Sequence, residues 1–431
     1  MDTIFAVATT RGKSGVAVIR ISGPDAFETL ARVTGKPIPE PRVATLRWIT
    51  DPRDGGRLDN ALVIVFSAPH SFTGENVVEI QTHGGLAVVS SVMDALATCP
   101  GCRVAEAGEF TRRALMNDRV DLAQVEGLAD LINAETKAQQ QQALRVFDGV
   151  LSDRVANWRQ KLLHAMALLE ATIDFADEEV PVDVSDDVVA SLRDVLAEME
   201  RELLGAGAAQ RLSEGFEVAI VGAPNTGKST LLNRLAGRDA AIVSDIAGTT
   251  RDVVEVRMDL DGLPVTFLDT AGIRQTEDKI ESVGVDLARR RAKRADIRVF
   301  LAEDEAALRA IGLDVLEGDL VLTPKSDEGG DRGISGLTGA GVDALVRHVG
   351  GHLGTLSDGA SSLTRERHKR AVELGKAELL TALDMLADET SDQELIAEQL
   401  RIGVHHLGVL VGSLDTEDVL GAIFANFCIG K

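Results

Sequence analysis

Apolar and polar residues alternate over short runs in the first hundred positions, and apolar residues recur at helical spacing through most of the remainder. IFAVAT, GVAVIRIS, ALVIVFS and NVVEIQTHGG predict strands, and 24–33 and 86–97 predict helices between them. That mixture predicts an α+β domain over 1–116. From 117 to about 175 there is no proline, and VDLAQVEGLADLI and ALRVFDGVLSDRVANWRQKLLHAMALLEATI carry long helical stripes. The pattern breaks at 178–181, and a further helix from about 187 to 204 completes a helical part over 117–213. Helical periodicity returns at 365–386. It restarts after Ser391, with Glu394 spaced for a capping box, and ends in TEDVLGAIFANFCIGK. The parts 117–213 and 354–431 therefore predict one helical bundle, interrupted by an inserted α/β domain at 214–353.

The insertion opens with FEVAIVGAPNTGKS, an apolar strand followed by a glycine-rich turn, a lysine and a hydroxyl residue. Gly222, Gly227, Lys228 and Ser229 fit G-x-x-x-x-G-K-[ST], with the helix 229–235 behind it. Amides of such a loop point at a β-phosphate, the lysine neutralises β/γ oxygens, and the serine hydroxyl ligates Mg²⁺. The helix adds its positive end. Asn225, Thr226 and Thr230 complete the predicted phosphate contacts.

Downstream, LPVTFLDTAG is an apolar strand ending in D-x-x-G, where Asp269 reaches the Mg²⁺ shell and Thr270, Ala271 and Gly272 bring backbone toward a γ-phosphate. Between the two lies SDIAGTTRD, with Ser244, Asp245, Ile246, Ala247, Gly248, Thr249 and Thr250. A threonine there reaches the metal only with the γ-phosphate present, which implies a switch. Base recognition by N-K-x-D has its counterpart in DLVLTPKSD, with Lys325 and Asp327 in register and Pro324 where Asn is expected. Asp327 remains able to accept from guanine N1 and N2 hydrogens. GISGLTGAG then matches a loop that touches the guanine edge, with Ser335 in place and Gly336 where Ala is usual. The order of the motifs favours guanine.

Composition narrows the rest. Aromatic residues are 3% of the 431, with no Tyr, so stacking platforms for single-stranded nucleic acid are scarce. The net charge of −23 opposes RNA binding by the chain's overall field, and an RNA substrate would need a local patch or a partner. With no secretory signal and no long apolar run, the expectation is a soluble cytoplasmic protein. Cys99 and Cys102 form C-P-G-C, which reads as a turn because no second Cys/His pair follows at zinc spacing. Arg20 and Glu79 interrupt otherwise apolar strands and are candidates to face inward, as ligands or as ion pairs.

Together, DTIFAVAT, GVAVIRISG, EIQTHGG, GEFTRRALMNDRVDLAQVEGLADLI, GAPNTGKST, DIAGTTRD, DTAGIR and the terminal FCIGK resemble the MnmE (TrmE) family of tRNA modification GTPases over essentially the whole length. The resemblance implies a multidomain chain: a folate-binding-like N-terminal α+β domain that also dimerises, and a Ras-like P-loop G domain inserted in a helical bundle. It implies a homodimer working with MnmG, an FAD-dependent partner, in a heterotetramer or larger complex. Together they would install an aminomethyl or carboxymethylaminomethyl group at C5 of a tRNA wobble uridine. The carbon would come from 5-formyl- or methylene-tetrahydrofolate. The only glycine-rich phosphate loop is the P-loop, so FAD belongs to the partner.

Residue by residue, the family's folate contacts fall on Arg20, Glu79, Arg119 and Lys431, with Arg119 standing where the family has Lys. Basic groups suit the glutamate tail, and Glu79 suits the pterin N–H edge. Cys428 in FCIGK reads either as a thiol near the one-carbon site or as a small buried hydrophobe. In place of a glutamine after D-x-x-G stands Ile273, and the P-loop carries no arginine. The family's answer is K⁺ held by Asn225, Ser244, Ile246 and Thr249, Mg²⁺ on Ser229 and Thr250, and a water positioned by Glu281. Two other readings stay open. A ribosome-assembly GTPase would need an RNA-binding module that the helical tail does not supply, and a nucleotide-gated scaffold would follow if Pro324 and Gly336 mark a decayed site. ATP specificity is a weaker third option.

Overall fold

Strand alternation in the N-terminal part closes into one six-stranded sheet. The structure is a computed structural model that describes residues 2–10, 12–174, 185–242, 255–269, 290–388, 391–412 and 430. It divides into two compact units, 1–129 with 408–431, and 130–407.

In the first unit, β1 (Thr3–Val7), β2 (Ser14–Ser22), β3 (Thr45–Thr50), β4 (Arg57–Phe66), β5 (Val77–Gly84) and β6 (Cys102–Val104) pair in the order β3-β4-β5-β2-β1-β6. Every pairing is antiparallel except β1 with β6. Period-two patterning sends Ile19, Ile21, Val63, Val65, Val78 and Ile80 to one face, against Leu30 and Val33 of α1 (Ala26–Thr34) and Val92 and Leu96 of α2 (Leu86–Ala97). Ile4 and Ala6 point to the other face, onto Phe110 of α3 (Glu109–Met116) and Phe72. The short strands β3 and β6 carry no clear alternation and were not legible from pattern alone. C-P-G-C is a turn, closed by the Cys102 amide on the Cys99 carbonyl at 3.3 Å, and both thiols are free. Among the described residues no His/Cys/Asp/Glu group is placed to hold a metal.

The helical stripe after 117 is cut into α4 (Leu122–Asn133), α5 (Lys137–Phe147) and α6 (Val150–Asp174). Thr136 caps α5 in a full capping box with Gln139, and Gly149, at φ 91°, breaks the chain between α5 and α6. Helix α7 (Ser185–Glu214) runs on past the expected end at 204, directly into the next strand.

In the second unit, β7 (Phe216–Gly222), β8 (Glu255–Leu260), β9 (Leu263–Asp269), β10 (Ile297–Leu301), β11 (Leu320–Pro324) and β12 (Gly333–Ile334) form a sheet in the order β12-β11-β10-β7-β9-β8. It is parallel except for the hairpin β8–β9, turned by Asp261 and Gly262, both at positive φ. Helices α8 (Lys228–Ala236) and α10 (Val342–Ser357) cover one face through Leu231, Leu232, Leu235, Leu345, Val349 and Leu353. Ala292 and Leu308 of α9 (Glu305–Ile311) cover the other. From β7 the chain goes to the edge strand β8 and returns through β9 on one side, and β10 follows on the other, so the loop after β7 sits at the switch point where ligands bind in such sheets.

Helices α11 (Glu366–Ala387) and α12 (Gln393–Leu410) follow, and α11 packs on α7. The cap expected at Ser391 is instead supplied by Asp392, whose Oδ1 accepts from the Glu394 amide at 2.9 Å. A carboxylate one residue before the first helical position suits the positive helix end. Among the described residues no helix is long and apolar enough to cross a membrane.

Candidate functional site

The loop after β7 turns through Asn225 at φ 61° and Gly227 at φ 98° to start α8 at Lys228. Such left-handed positions let successive amides line one concavity. Gly222 has no room for a side chain: a Cβ there would lie 2.9 Å from both the Leu301 carbonyl and Thr226 Oγ1. Thr226 Oγ1 donates to the Ala223 carbonyl at 2.8 Å and sets the loop's width.

Lys228 is 4% exposed, with its ammonium donating to the Gly222 and Ala223 carbonyls at 2.8 and 2.7 Å. Burial pushes the ammonium below the ordinary lysine range, against the pull of Asp269. One turn of chemistry away, Ser229 Oγ donates to Asp269 Oδ2 at 2.8 Å. The two residues are forty positions apart, and the pairing of β7 with β9 brings them together. Both are hard oxygen donors of the kind that hold Mg²⁺.

Beside the first turn of α8, Ser335 Oγ donates to Asp327 Oδ1 at 2.7 Å, while the Leu337 and Thr338 amides donate to Ser335 Oγ. Lys325 stands at φ 56°, a strained conformation that re-aims the chain after Pro324. Gly336 has a physical reason: a Cβ would sit 2.6 Å from the Leu231 amide nitrogen and 2.7 Å from the Thr230 carbonyl carbon. The loop of Ser335 and Gly336 therefore lies directly on the backbone of α8.

Of the predicted nucleotide and ion residues, Asn225, Thr226 and Gly227 fall on the loop after β7, Lys228, Ser229 and Thr230 open α8, Asp269 ends β9, and Lys325, Asp327 and Ser335 follow β11. Ser244, Asp245, Ile246, Ala247, Gly248, Thr249, Thr250, Thr270, Ala271, Gly272 and Glu281 lie outside the described residues, as do Cys428 and Lys431.

In the first unit, Arg20 and Glu79 are cross-strand neighbours on the face opposite α1 and α2. Arg20 Nε and Nη2 donate to Glu79 Oε1 at 3.1 and 2.9 Å, with the two side chains 22% and 20% exposed. The Arg20 guanidinium lies over the Phe72 and Phe110 rings at 5.9 and 5.7 Å. The stem of Arg119 lies on Gly74, where a Cβ would meet its Cγ at 3.3 Å. Gly430, at φ 104°, packs on β1, where a Cβ would stand 2.1 Å from the Val7 carbonyl oxygen.

Sequence reasoning missed the ion network beside this face. Arg113 donates to Glu75 at 3.0 and 3.1 Å, to Glu109 at 3.0 Å, and to the Asp2 carboxylate and carbonyl at 2.9 and 2.8 Å. Burial raises the Glu109 carboxyl, and the bonds from Arg103, the Glu106 amide and Arg113 together outweigh that and leave it below the usual range. The only prior signal was an arginine pair in FTRRAL, which reads equally well as a solvated face.

The family model described as the MnmE helical domain matches residues 122–428, and that of the GTP-binding protein TrmE N-terminus matches 3–119. The chain belongs to the MnmE family. A relative from Cereibacter sphaeroides named tRNA modification GTPase MnmE is 54% identical, covering 100% of both chains. One of the same name from Roseobacter denitrificans is 50% identical over 100% of both chains. Among solved structures, a GTP-binding protein from Sulfolobus solfataricus in complex with GDP covers 59% of this chain and 81% of its own at 14% identity. Its TM-score of 0.24 is too low to bear on the fold or function of this MnmE family member.

Proposed function

We propose that the chain is a GTP hydrolase acting in tRNA modification. The observation that carries this reading is the approach of Ser229 Oγ to Asp269 Oδ2 at 2.8 Å beside the buried Lys228, in a chain half identical to named tRNA modification GTPases. The loop amides and Lys228 bind the phosphates, Ser229 and Thr250 hold Mg²⁺, and Asp327 with Ser335 reads guanine. Asp269, Thr270, Ala271 and Gly272 respond to the γ-phosphate.

Asn225, Ser244, Ile246 and Thr249 would hold K⁺, which would supply the positive charge an arginine finger gives elsewhere. The Asn225 amide on its left-handed turn fits that task as a neutral oxygen donor. Glu281 orients the attacking water rather than removing its proton outright.

The same reading extends to the N-terminal sheet and the partners. Glu79, fixed by Arg20, offers a carboxylate to the pterin edge of a tetrahydrofolate derivative. Arg20, Arg119 and Lys431 provide the positive field for its tail, and the approach of Gly430 to Val7 supports bringing Lys431 to this face. The sheet of 214–353 is inserted in the bundle formed by 117–213 and 354–431, which the packing of α7 on α11 supports. A homodimer joined by the N-terminal domain works with the MnmG-type FAD protein to build the aminomethyl or carboxymethylaminomethyl group on the tRNA wobble uridine, in the cytoplasm.

The test is GTP hydrolysis in KCl against NaCl at equal ionic strength, with Asn225→Ala and Glu281→Ala alongside. A K⁺-selective rate lost in Asn225→Ala is expected, with Glu281→Ala slow in both salts. Equal rates in the two salts would remove the cation from the mechanism, and no turnover of GTP would favour the scaffold. Binding of 5-formyl-tetrahydrofolate, lost in Glu79→Gln, tests the folate reading separately.

A further inference from the structure

Helix α5 touches the β8–β9 hairpin, the end of α7 that leads into β7 and the segment that leaves α10, and each contact uses a different part of the helix. Its first turn meets the β8–β9 hairpin: the Ala138 amide donates to the Gly262 carbonyl at 3.2 Å, so the turn satisfies one of the helix's open N–H groups. Glu135, just before the cap, pairs with Arg257 of β8 at 3.2 Å, and the Ala138 side chain packs into the core of the sheet.

Gln139 is the second contact. Its carbonyl oxygen accepts from the Glu135 and Thr136 amides as part of the capping box, and its amide donates to the Ser213 carbonyl at 3.2 Å, at the entry to β7. The third is Gln142, one turn further along on the same face. It is 4% exposed, and its amide donates to the Ser361 carbonyl at 2.6 Å, in the segment that leaves α10. That segment is pinned from the other side, since Glu202 of α7 accepts from the Ser362 amide and hydroxyl at 3.1 and 2.7 Å. Gly205 of α7 also lies so close that a Cβ would stand 2.3 Å from the Gly359 carbonyl.

Strand β9 joins the first contact to the Mg²⁺ donors. Its seven residues run from Leu263, beside the hairpin turn, to Asp269 on Ser229, a span of about 20 Å. Paired on both edges and buried on both faces, β9 shifts as a rod rather than bending.

We propose that α5 is the coupling element of this GTPase: the β8–β9 hairpin delivers the state of the nucleotide to its N-terminus, and Gln139 and Gln142 pass the movement to the entry and exit segments of the sheet, and so to α7 and α11. Gln139 and Gln142 are positioning residues, with no contact to nucleotide. The proposal rests on the GTPase reading above. A buried glutamine that bonds only to backbone suits this task, because its amide holds one geometry and loses a full hydrogen bond in any other.

The experiment is hydrogen–deuterium exchange on the full-length chain, loaded with GDP or with a non-hydrolysable GTP analogue, with hydrolysis rates measured in parallel. In the unmodified chain, exchange in peptides covering 137–147 and 361–371 is expected to differ between the two nucleotides by about fivefold or more, the low end of measured couplings. Gln142→Leu, which keeps the volume and removes the donor, is expected to erase that difference in 361–371 while GTP hydrolysis persists. Gln139→Glu keeps the capping acceptor, turns the donor to Ser213 into a charged acceptor, and stands at a part-exposed position where folding is secure. It is expected to reduce the same difference. An unmodified chain with no nucleotide-dependent exchange at α5, or variants that retain the difference, would overturn the proposal. Absence of protection at Lys228–Ala236 by either nucleotide would instead overturn the nucleotide reading beneath it.

Discussion

The two charged regions of this chain are built on opposite plans. At the nucleotide end, one buried lysine, one serine and one aspartate among the described residues converge on a glycine-shaped loop. On the N-terminal sheet, Arg20 with Glu79, and Arg113 with Asp2, Glu75 and Glu109, are side chain paired with side chain. The first plan keeps its charge available to an incoming phosphate. The second already spends most of its charge within the protein, so it contributes chiefly to shape and stability, with Glu79 as the group nearest to a ligand role. A buried charge that is satisfied internally and one that awaits a partner thus look alike in composition and differ in what their removal does.

That contrast is most easily broken at Arg113. Arg113→Ala leaves Glu75 without its counter-ion and Glu109 with Arg103 as its close cationic partner, and is expected to cost about 3–5 kcal/mol in denaturant unfolding. GTP hydrolysis per folded molecule should hold. The inverse is expected of Lys228→Ala, which should lower the GTP hydrolysis rate by about 10²–10³-fold with little loss of Tm. If Lys228→Ala unfolded the chain, or Arg113→Ala left stability unchanged, the division between the two regions would fail.

Acid sharpens it further. The hydrogen bonds from Arg103 hold the Asp2 carboxyl below its usual range, and Glu109 is held low as well, after burial is outweighed. Groups depressed on folding contribute stability that is fully present above their unfolded values near 4 and is lost as pH falls through the lower folded values. Unfolding followed from pH 7 to pH 2 should therefore show the N-terminal sheet losing stability below about pH 4, and Arg113→Ala should flatten that loss.

Smaller effects test the two glycine and cysteine features. Gly336→Ala forces the base loop away from Leu231 and is expected to weaken GTP binding by about 1–3 kcal/mol, read as Kd by titration calorimetry. Cys102→Ser keeps the bond to Thr29 Oγ1, seen at 3.0 Å, and should change stability by less than about 1 kcal/mol. Burial raises both thiols, so labelling of Cys99 and Cys102 at pH 8 should be slow until the chain is unfolded.

What could be read in advance was whatever the chain encodes locally. The P-loop needs a strand, a turn and a helix in one short run, so Lys228 and Ser229 were legible, and D-x-x-G marked Asp269 at the end of its own strand. Long-range pairings were not. Arg113 meets Asp2 across more than a hundred residues, and no pattern in FTRRAL selects that partner over water. Arg20 and Glu79 were recognised as interruptions of apolar strands, and their mutual pairing needed the β2–β5 register. The helical stripe hid the breaks at Thr136 and Gly149 because apolar spacing continues through both. At 391–394, a serine and an aspartate compete for one cap, and Asp392 has it. Gly336 looked like a defect in a base loop until its distance to α8 supplied the cause.

The closeness of Gly336 to Thr230 and Leu231 makes α8 a ruler. The residues proposed to hold phosphate and the loop proposed to meet the base are fixed to the same nine-residue rod, Lys228–Ala236, one near its start and one along its side. The spacing between the two ends of a nucleotide is thereby measured by backbone, and side-chain changes at Asp327 or Ser335 can alter which base is chosen without altering how far it sits from the phosphates.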